Sequence, residues 1–129
     1  IGDSAFYSCD NLTNIEVGGN NPYYQSIDGN LYSKDGKTLI QYAIGKTATS
    51  FTIPNNVQSI GKGAFQSCEN LTSVVIGERV TSIDNFAFSG CDNLQYTIKE
   101  NLKYLGNSNN PYLYLAGTRV RDTHKGFPW

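Results

Sequence analysis

Nearly the same sentence is written three times in this chain: IGDSAFYSCDNLTNIEV at 1–17, IGKGAFQSCENLTSVVI at 60–76 and IDNFAFSGCDNLQYTI at 83–98. No other feature constrains the fold as tightly. A unit of about 20–30 residues cannot bury its apolar side alone, so such units become stable only by stacking on copies of themselves. The second copy begins at Ile60 and the third at Ile83, one 23-residue step later, whereas Ile1 and Ile60 stand more than two such steps apart. Additional chain is therefore inserted between the first two. Ile1 itself falls inside a unit, which leads us to expect that the sequence is a piece of a longer array.

The shared pattern, I-(G/D)-x-x-A-F-x-x-C-x-N-L-x-x-(I/V), gives each position a physical task. Ile1, Ile60 and Ile83 open the unit and point inward, and Ala5, Ala64 and Ala87 are small where neighbouring coils approach. Phe6, Phe65 and Phe88 fill the wide part of the core, and Leu12, Leu71 and Leu94 lead into a strand. That strand alternates with period two: Ile15 and Val17 face in while Asn14 and Glu16 face out, and Val74 and Ile76 face in while Ser73 and Val75 face out. SFTIP at 50–54 fits the same frame, with Ile53 opposite Ile76 and Pro54 ending the strand. In the last copy LQYTI falls out of step, which predicts a register shift that buries Tyr96 and Ile98 and exposes Thr97.

The 23-residue period and the A-F-x-x-C-x-N-L-x-x-(I/V) core resemble the BspA-like, or Treponema-type, leucine-rich repeats over roughly residues 1–115. The resemblance implies a leucine-rich-repeat solenoid: right-handed, with a short parallel β-sheet on its concave face, short helical or irregular segments on its convex face, and inserted β-hairpins. It also implies bacterial or protist proteins, secreted or held at the cell surface, that bind proteins or adhere to host surfaces. NNPYYQSIDGNLYSKDGKTLIQYAIGK, within an insertion of about 20–45, matches the family's recurring hairpin. From the residues alone that stretch is a hairpin too. GNLYS and KTLIQY are short alternating strands around KDGK, where Asp35-Gly36 supplies the turn. It is expected to protrude with its tip at 34–37 and to replace the A-F-x-x-C segment of one coil. NLKYL, GNSNNP and YLYLAG suggest a second hairpin near the end. The repeat region is thus expected over 1–117, with 118–129 a tail or linker.

Composition excludes several functions. Ten basic and 11 acidic residues are scattered along 129 positions with a net charge of −1, so no basic face recommends nucleic acid as a partner. Apolar runs are only a few residues long, so no membrane-spanning segment is expected. Nine Tyr, no Met and abundant Asn, Ser, Thr and Gly suit an exported protein.

Groups that could carry chemistry have plainer explanations. Cys9, Cys68 and Cys91 share one slot of the repeat, which favours a ladder of buried free thiols over a Cys68–Cys91 disulfide or a zinc site. His124 is the only histidine, lies in the tail and is read as solvated rather than as a base beside Asp122. Asp28 and Asp35 each precede a Gly and read as turn residues. Asn11 and Asn70 open glycosylation sequons, yet they recur with Asn93 at one repeat position, where an inward amide would satisfy backbone groups at the bend. No catalytic residue, metal site or cofactor is expected.

Function then falls to outward residues. Glu16, Thr52, Val75 and Thr97 should line up across the concave face, with Tyr23 and Tyr24 at its edge as interface anchors. Tyr32 and Tyr42 decorate the same hairpin, and Tyr32 is expected to pack inward. The chain reads as a surface or secreted module binding a host or partner protein. Alternatives are a structural spacer or stalk, or a non-catalytic targeting domain of an enzyme.

Overall fold

The computed structural model describes residues 5–76, 79–84 and 86–95, together with the backbone of strands 97–99, 102–105 and 113–114. Among the described residues ten strands follow in chain order: β1 (Tyr24–Ile27), β2 (Asn30–Ser33), β3 (Thr38–Gln41), β4 (Ser50–Thr52), β5 (Ser59–Ile60), β6 (Ser73–Val75), β7 (Ser82–Ile83), β8 (Thr97–Lys99), β9 (Leu102–Leu105) and β10 (Leu113–Tyr114).

The 23-residue offset seen in the sequence is the register of the structure. β4 and β6 pair parallel with Ser50 opposite Ser73, Phe51 opposite Val74 and Thr52 opposite Val75. β5 and β7 pair parallel with Ser59 opposite Ser82 and Ile60 opposite Ile83. Equivalent residues of neighbouring units are therefore one strand-spacing apart, about 5 Å. Side-chain bonds repeat at the same offset: the Thr72 hydroxyl donates to Thr49 O at 3.1 Å and the Thr81 hydroxyl to Gln58 O at 3.4 Å.

The core follows from this register. Ile53, Ile60, Ile76, Leu71, Ala64, Ala87, Phe65, Phe88, Cys68 and Cys91 all lie in one buried cluster. Phe65 stacks on Phe88 with ring centroids 4.7 Å apart and planes 12° from parallel. On the other side of Phe65 the stack continues not with Phe6 but with Tyr42, at 5.1 Å and 25°. Tyr42 stands one repeat step before Phe65, and its N–H donates to Ala64 O just as the Phe65 N–H donates to Ala87 O. Phe6 and Cys9 are only half-buried. Burial in a stack needs a unit on each face, and the turn at 5–12 stands at one end of the described units. The expected row of three buried phenylalanines is thus Tyr42, Phe65 and Phe88. The three thiols are free, with Cys68 and Cys91 buried. Ile1 lies outside the described residues.

The A-F-x-x-C stretch forms turns, and no helix occurs among the described residues. The reason is local. Gly63 (φ 65°) and Ser67 (φ 62°) in one unit, and Phe86 (φ 60°) and Gly90 (φ 76°) in the next, sit in the left-handed region and interrupt helical winding. The N–H groups of Phe65 and Ser67 then reach across to Ala87 and Ser89 of the next unit rather than back along their own chain.

The insertion is a three-stranded meander. β1 and β2 are joined through Asp28 (φ 51°) and Gly29 (φ 80°), the two-residue turn that suits a twisted hairpin. β2 and β3 pair antiparallel around the 34–37 turn, with a register irregularity between Leu31 and Tyr32. Asp35 shapes that turn by accepting from the Lys37 N–H and the Ser33 hydroxyl, which hold its carboxyl below the ordinary value. The expected strands and tip are present, but they do not simply protrude. β3 pairs parallel with β5, giving one five-stranded sheet in the order β1-β2-β3-β5-β7. Leu31, Tyr32 and Leu39 are consequently buried. At the other end β8, β9 and β10 form an antiparallel sheet, consistent with the second hairpin. Residues 118–129 lie outside the described residues.

Candidate functional site

β6 presents its side chains alternately. Val74 and Ile76 are 6% and 2% exposed, whereas Val75 between them is 43% exposed. An apolar side chain thus stands outward on a strand whose neighbours fill the core. Beside it in the ladder stands Thr52, also exposed, and the same outward face carries exposed Ser50 and Ser73. The result is a small uncharged patch of three hydroxyls and one valine, fixed by parallel backbone bonds. Such a surface can make apolar and neutral hydrogen-bonding contacts, and it contains no group able to act as acid, base or nucleophile at neutral pH.

Glu16 is exposed and accepts from the Asn14 amide at 3.1 Å. Its segment runs alongside the insertion, because the Ile15 N–H donates to Gly29 O at 2.8 Å and Ile15 O accepts from the Ser26 hydroxyl. Glu16 is therefore not a ladder partner of Thr52 among the described residues. Among the described residues, the unit-to-unit backbone bond furthest along the chain runs from the Gln95 N–H to Thr72 O at 2.9 Å. Thr97 follows in β8, whose described partner is β9, and its side chain lies outside the described residues, as do Tyr96 and Ile98. Tyr23 is 73% exposed and meets the half-buried Tyr24 edge-on at 6.4 Å. The Asn21 side-chain oxygen accepts both of their backbone N–H groups and fixes the approach to β1. Since β1 edges the five-stranded sheet, this pair belongs to a different sheet from Thr52 and Val75.

Buried polar groups brace the scaffold. The Gln41 amide donates to Tyr42 O and Ala64 O at 2.7 and 3.1 Å, and the Asn30 side-chain oxygen accepts the Ala43 N–H at 2.9 Å. The Gln41–Ala64 bond ties the insertion to the next unit and the Asn30–Ala43 bond braces the insertion itself, and neither Gln41 nor Asn30 was singled out in the sequence. For Tyr42 the available signal was its place one repeat step before Phe65. Burial, aided by Asp28, pushes the Tyr32 phenol up to about 12, and burial beside Cys68 does the same for Tyr42. Burial and the neighbouring Cys68 raise the Cys91 thiol to about 12, and burial raises Cys68 as well. These thiols stay protonated and unreactive at neutral pH. The Asn70 and Asn93 amides donate to Lys46 O and Glu69 O of preceding units at 2.9 and 2.8 Å. They satisfy backbone at the bend as expected, but from exposed rather than inward positions. No group of three or more His, Cys, Asp and Glu among the described residues is arranged to hold a metal ion, and no described helix is long and apolar enough to cross a membrane.

Parallel ladders repeating in register from unit to unit, around a core of Leu, Ile, Phe and Cys, make this a protein of leucine-rich-repeat type. The chain belongs to the BspA type leucine rich repeat region family, whose profile matches residues 1–38 and 39–110 with six copies. Similar solved structures include the following two. A leucine-rich repeat protein from Eubacterium ventriosum shares 27% identity with a TM-score of 0.70, over 92% of this chain and 37% of that one. The pneumococcal vaccine antigen PcpA shares 28% identity with a TM-score of 0.62, over 64% of this chain and 20% of that one. The chain thus corresponds to a minor part of each. No curated protein matches the sequence.

Proposed function

We propose that this chain is a protein-interaction module of a secreted or surface-held bacterial protein, binding a host or partner protein without catalysis. The observation that carries the proposal is Val75, 43% exposed in a strand whose flanking residues are almost fully buried. Stability does not require an outward valine there, and with Ser50, Thr52 and Ser73 it forms an uncharged surface able to make both apolar and hydrogen-bonding contacts with a protein. Repeat arrays of this kind offer extended concave faces to partners, and a bacterial antigen is among the structures that resemble this one. In this reading the repeat region, 1–117, is a right-handed solenoid with Thr52 and Val75 on its concave face, and Glu16, Thr97, Tyr23 and Tyr24 would add contacts outside that pair.

The test is Val75→Arg. As a change at an exposed position it should alter stability by less than about 1 kcal/mol. Binding to members of a panel of purified host extracellular proteins that capture the unmodified chain should fall. If the variant unfolds, Val75 is a core residue. Unchanged binding would favour a spacer or stalk.

A further inference from the structure

The repeat's bend carries a second concavity that the Val75 surface does not include. A cavity of about 400 Å³ is lined by Ser8, Asp10, Ile44, Ser67, Glu69 and Asn70. Its origin is legible in the repeat. The flanking units bring matching residues to it, Ser8 and Asp10 on one side and Ser67 and Glu69 on the other. Ser8 and Ser67 even share the left-handed conformation, φ 62° in both. The unit between them carries Ile44-Gly45-Lys46 in place of Ser-Cys-Glu. Gly45 runs close beneath the first unit, where any Cβ would stand 2.5 Å from the Asn11 carbonyl carbon, and its N–H donates to Leu12 O. The middle unit is therefore low, and the buried Ile44 forms the floor.

The lining selects its ligand by what it lacks. Asp10 and Glu69 bring carboxylates, Asn70 an amide oxygen, and Ser8 and Ser67 hydroxyls. The one side-chain amide donor, Asn70 Nδ2, is held by Lys46 O at 2.9 Å. The Ser67 N–H is engaged by Ser89 O, and the Asn70 N–H points at the Cys68 sulfur. The nearby ammonium of Lys46 is turned away to Asp28 O. Neither Asp10 nor Glu69 has an ion-pair partner among the described residues. A rim rich in acceptors and negative charge above an apolar floor fits a cationic donor on an aliphatic stem. Its volume suits a small group, near the lower end of the roughly 300–1,000 Å³ typical of ligand sites.

We infer that this notch receives an arginine or lysine side chain of a protein partner, its methylenes over Ile44 and its cation between Asp10 and Glu69. The inference rests on the preceding proposal only in taking the ligand to be part of a protein. Titrating the ¹⁵N-labelled chain with Nα-acetyl-arginine amide, and separately with the lysine analogue, should give saturable amide shifts confined to the notch residues. The neutral citrulline analogue should give none. Asp10→Asn/Glu69→Gln, with its fold confirmed by an otherwise unchanged spectrum, should bind at least about tenfold more weakly, the scale expected for losing one charge-assisted contact or more. The Val75→Arg chain should bind the probe unchanged, so failure of that face and failure of the notch are separately visible. Absence of saturable shifts, shifts shared with citrulline, shifts surviving in the double variant, or binding of calcium ions there without binding of the arginine probe would each overturn the inference.

Discussion

Replacing Phe65 with alanine should be the most costly single truncation in the repeat core. The ring is 0% exposed and lies between Tyr42 at 5.1 Å and Phe88 at 4.7 Å, with Phe51 tilted against it at 5.9 Å. Truncating a buried Phe costs about 3–5 kcal/mol through lost transfer energy and the cavity left behind. Two stacked neighbours, each pair contributing about 0.5–1.5 kcal/mol beyond area, place this site toward the upper end. Phe6 holds the same repeat position but is half-buried and outside the ring stack, so Phe6→Ala should cost about 2 kcal/mol or less. Urea unfolding followed by circular dichroism separates the two. With a slope of about 1–3 kcal/mol/M, a loss of about 4 kcal/mol moves the midpoint by roughly 2 M. Total stability on the order of 10 kcal/mol leaves room for this. Phe65→Leu supplies a milder version should the alanine variant prove too unstable to purify. Equal midpoint shifts for the Phe65 and Phe6 alanine variants would refute the stacked core.

Gly45→Ala should destabilise by about 1–3 kcal/mol in thermal melts, because its Cβ would meet the Asn11 and Leu12 backbone at 2.5–2.6 Å, where no flexible side chain can yield. Ser67→Gly should raise the melting temperature, worth up to about 1 kcal/mol, by relieving the left-handed φ of 62°. Alkaline titration should weaken the fold as pH rises. The buried Cys68 and Cys91 thiols and the Tyr32 and Tyr42 phenols hold their protons more tightly folded than unfolded, so stability declines from near the ordinary thiol value of 9.0 toward about 12. A flat stability profile across that window would contradict their burial.

The frame of the repeat was legible because its constraint is one-dimensional. A single fixed offset sets Thr52 beside Val75 and Phe65 against Phe88 before any coordinate is known. The insertion was harder. Its β2–β3 turn is announced by Asp35-Gly36, but β1 at Tyr24–Ile27 has no outstanding alternation, and its strand character comes from pairing with β2. Nothing local in TLIQ says that β3 will also accept β5 as a parallel neighbour. That pairing is decided by Tyr42 entering the aromatic stack. Equal repeat position likewise does not mean equal burial, as Phe6 and Cys9 show against Phe65 and Cys68. The outward direction of Val75 and Thr52 followed from period two, whereas the notch follows from a difference between units, Ile44-Gly45-Lys46 against Ser67-Cys68-Glu69, that only their packing converts into shape.

The strand ladders joining one unit to the next are only three and two residue pairs long, β4 with β6 and β5 with β7. Their hydrogen bonds point along the direction in which the units follow one another. Tension applied in that direction loads these bonds head-on and nearly one unit at a time, so the array should peel rather than shear. Each released unit would lengthen the chain by roughly 75 Å, its extended contour less one strand spacing. The meander, which adds antiparallel pairs across β1, β2 and β3, would be the last of the five-stranded sheet to yield. An array built this way would give length under tension in small increments while its remaining units stay folded.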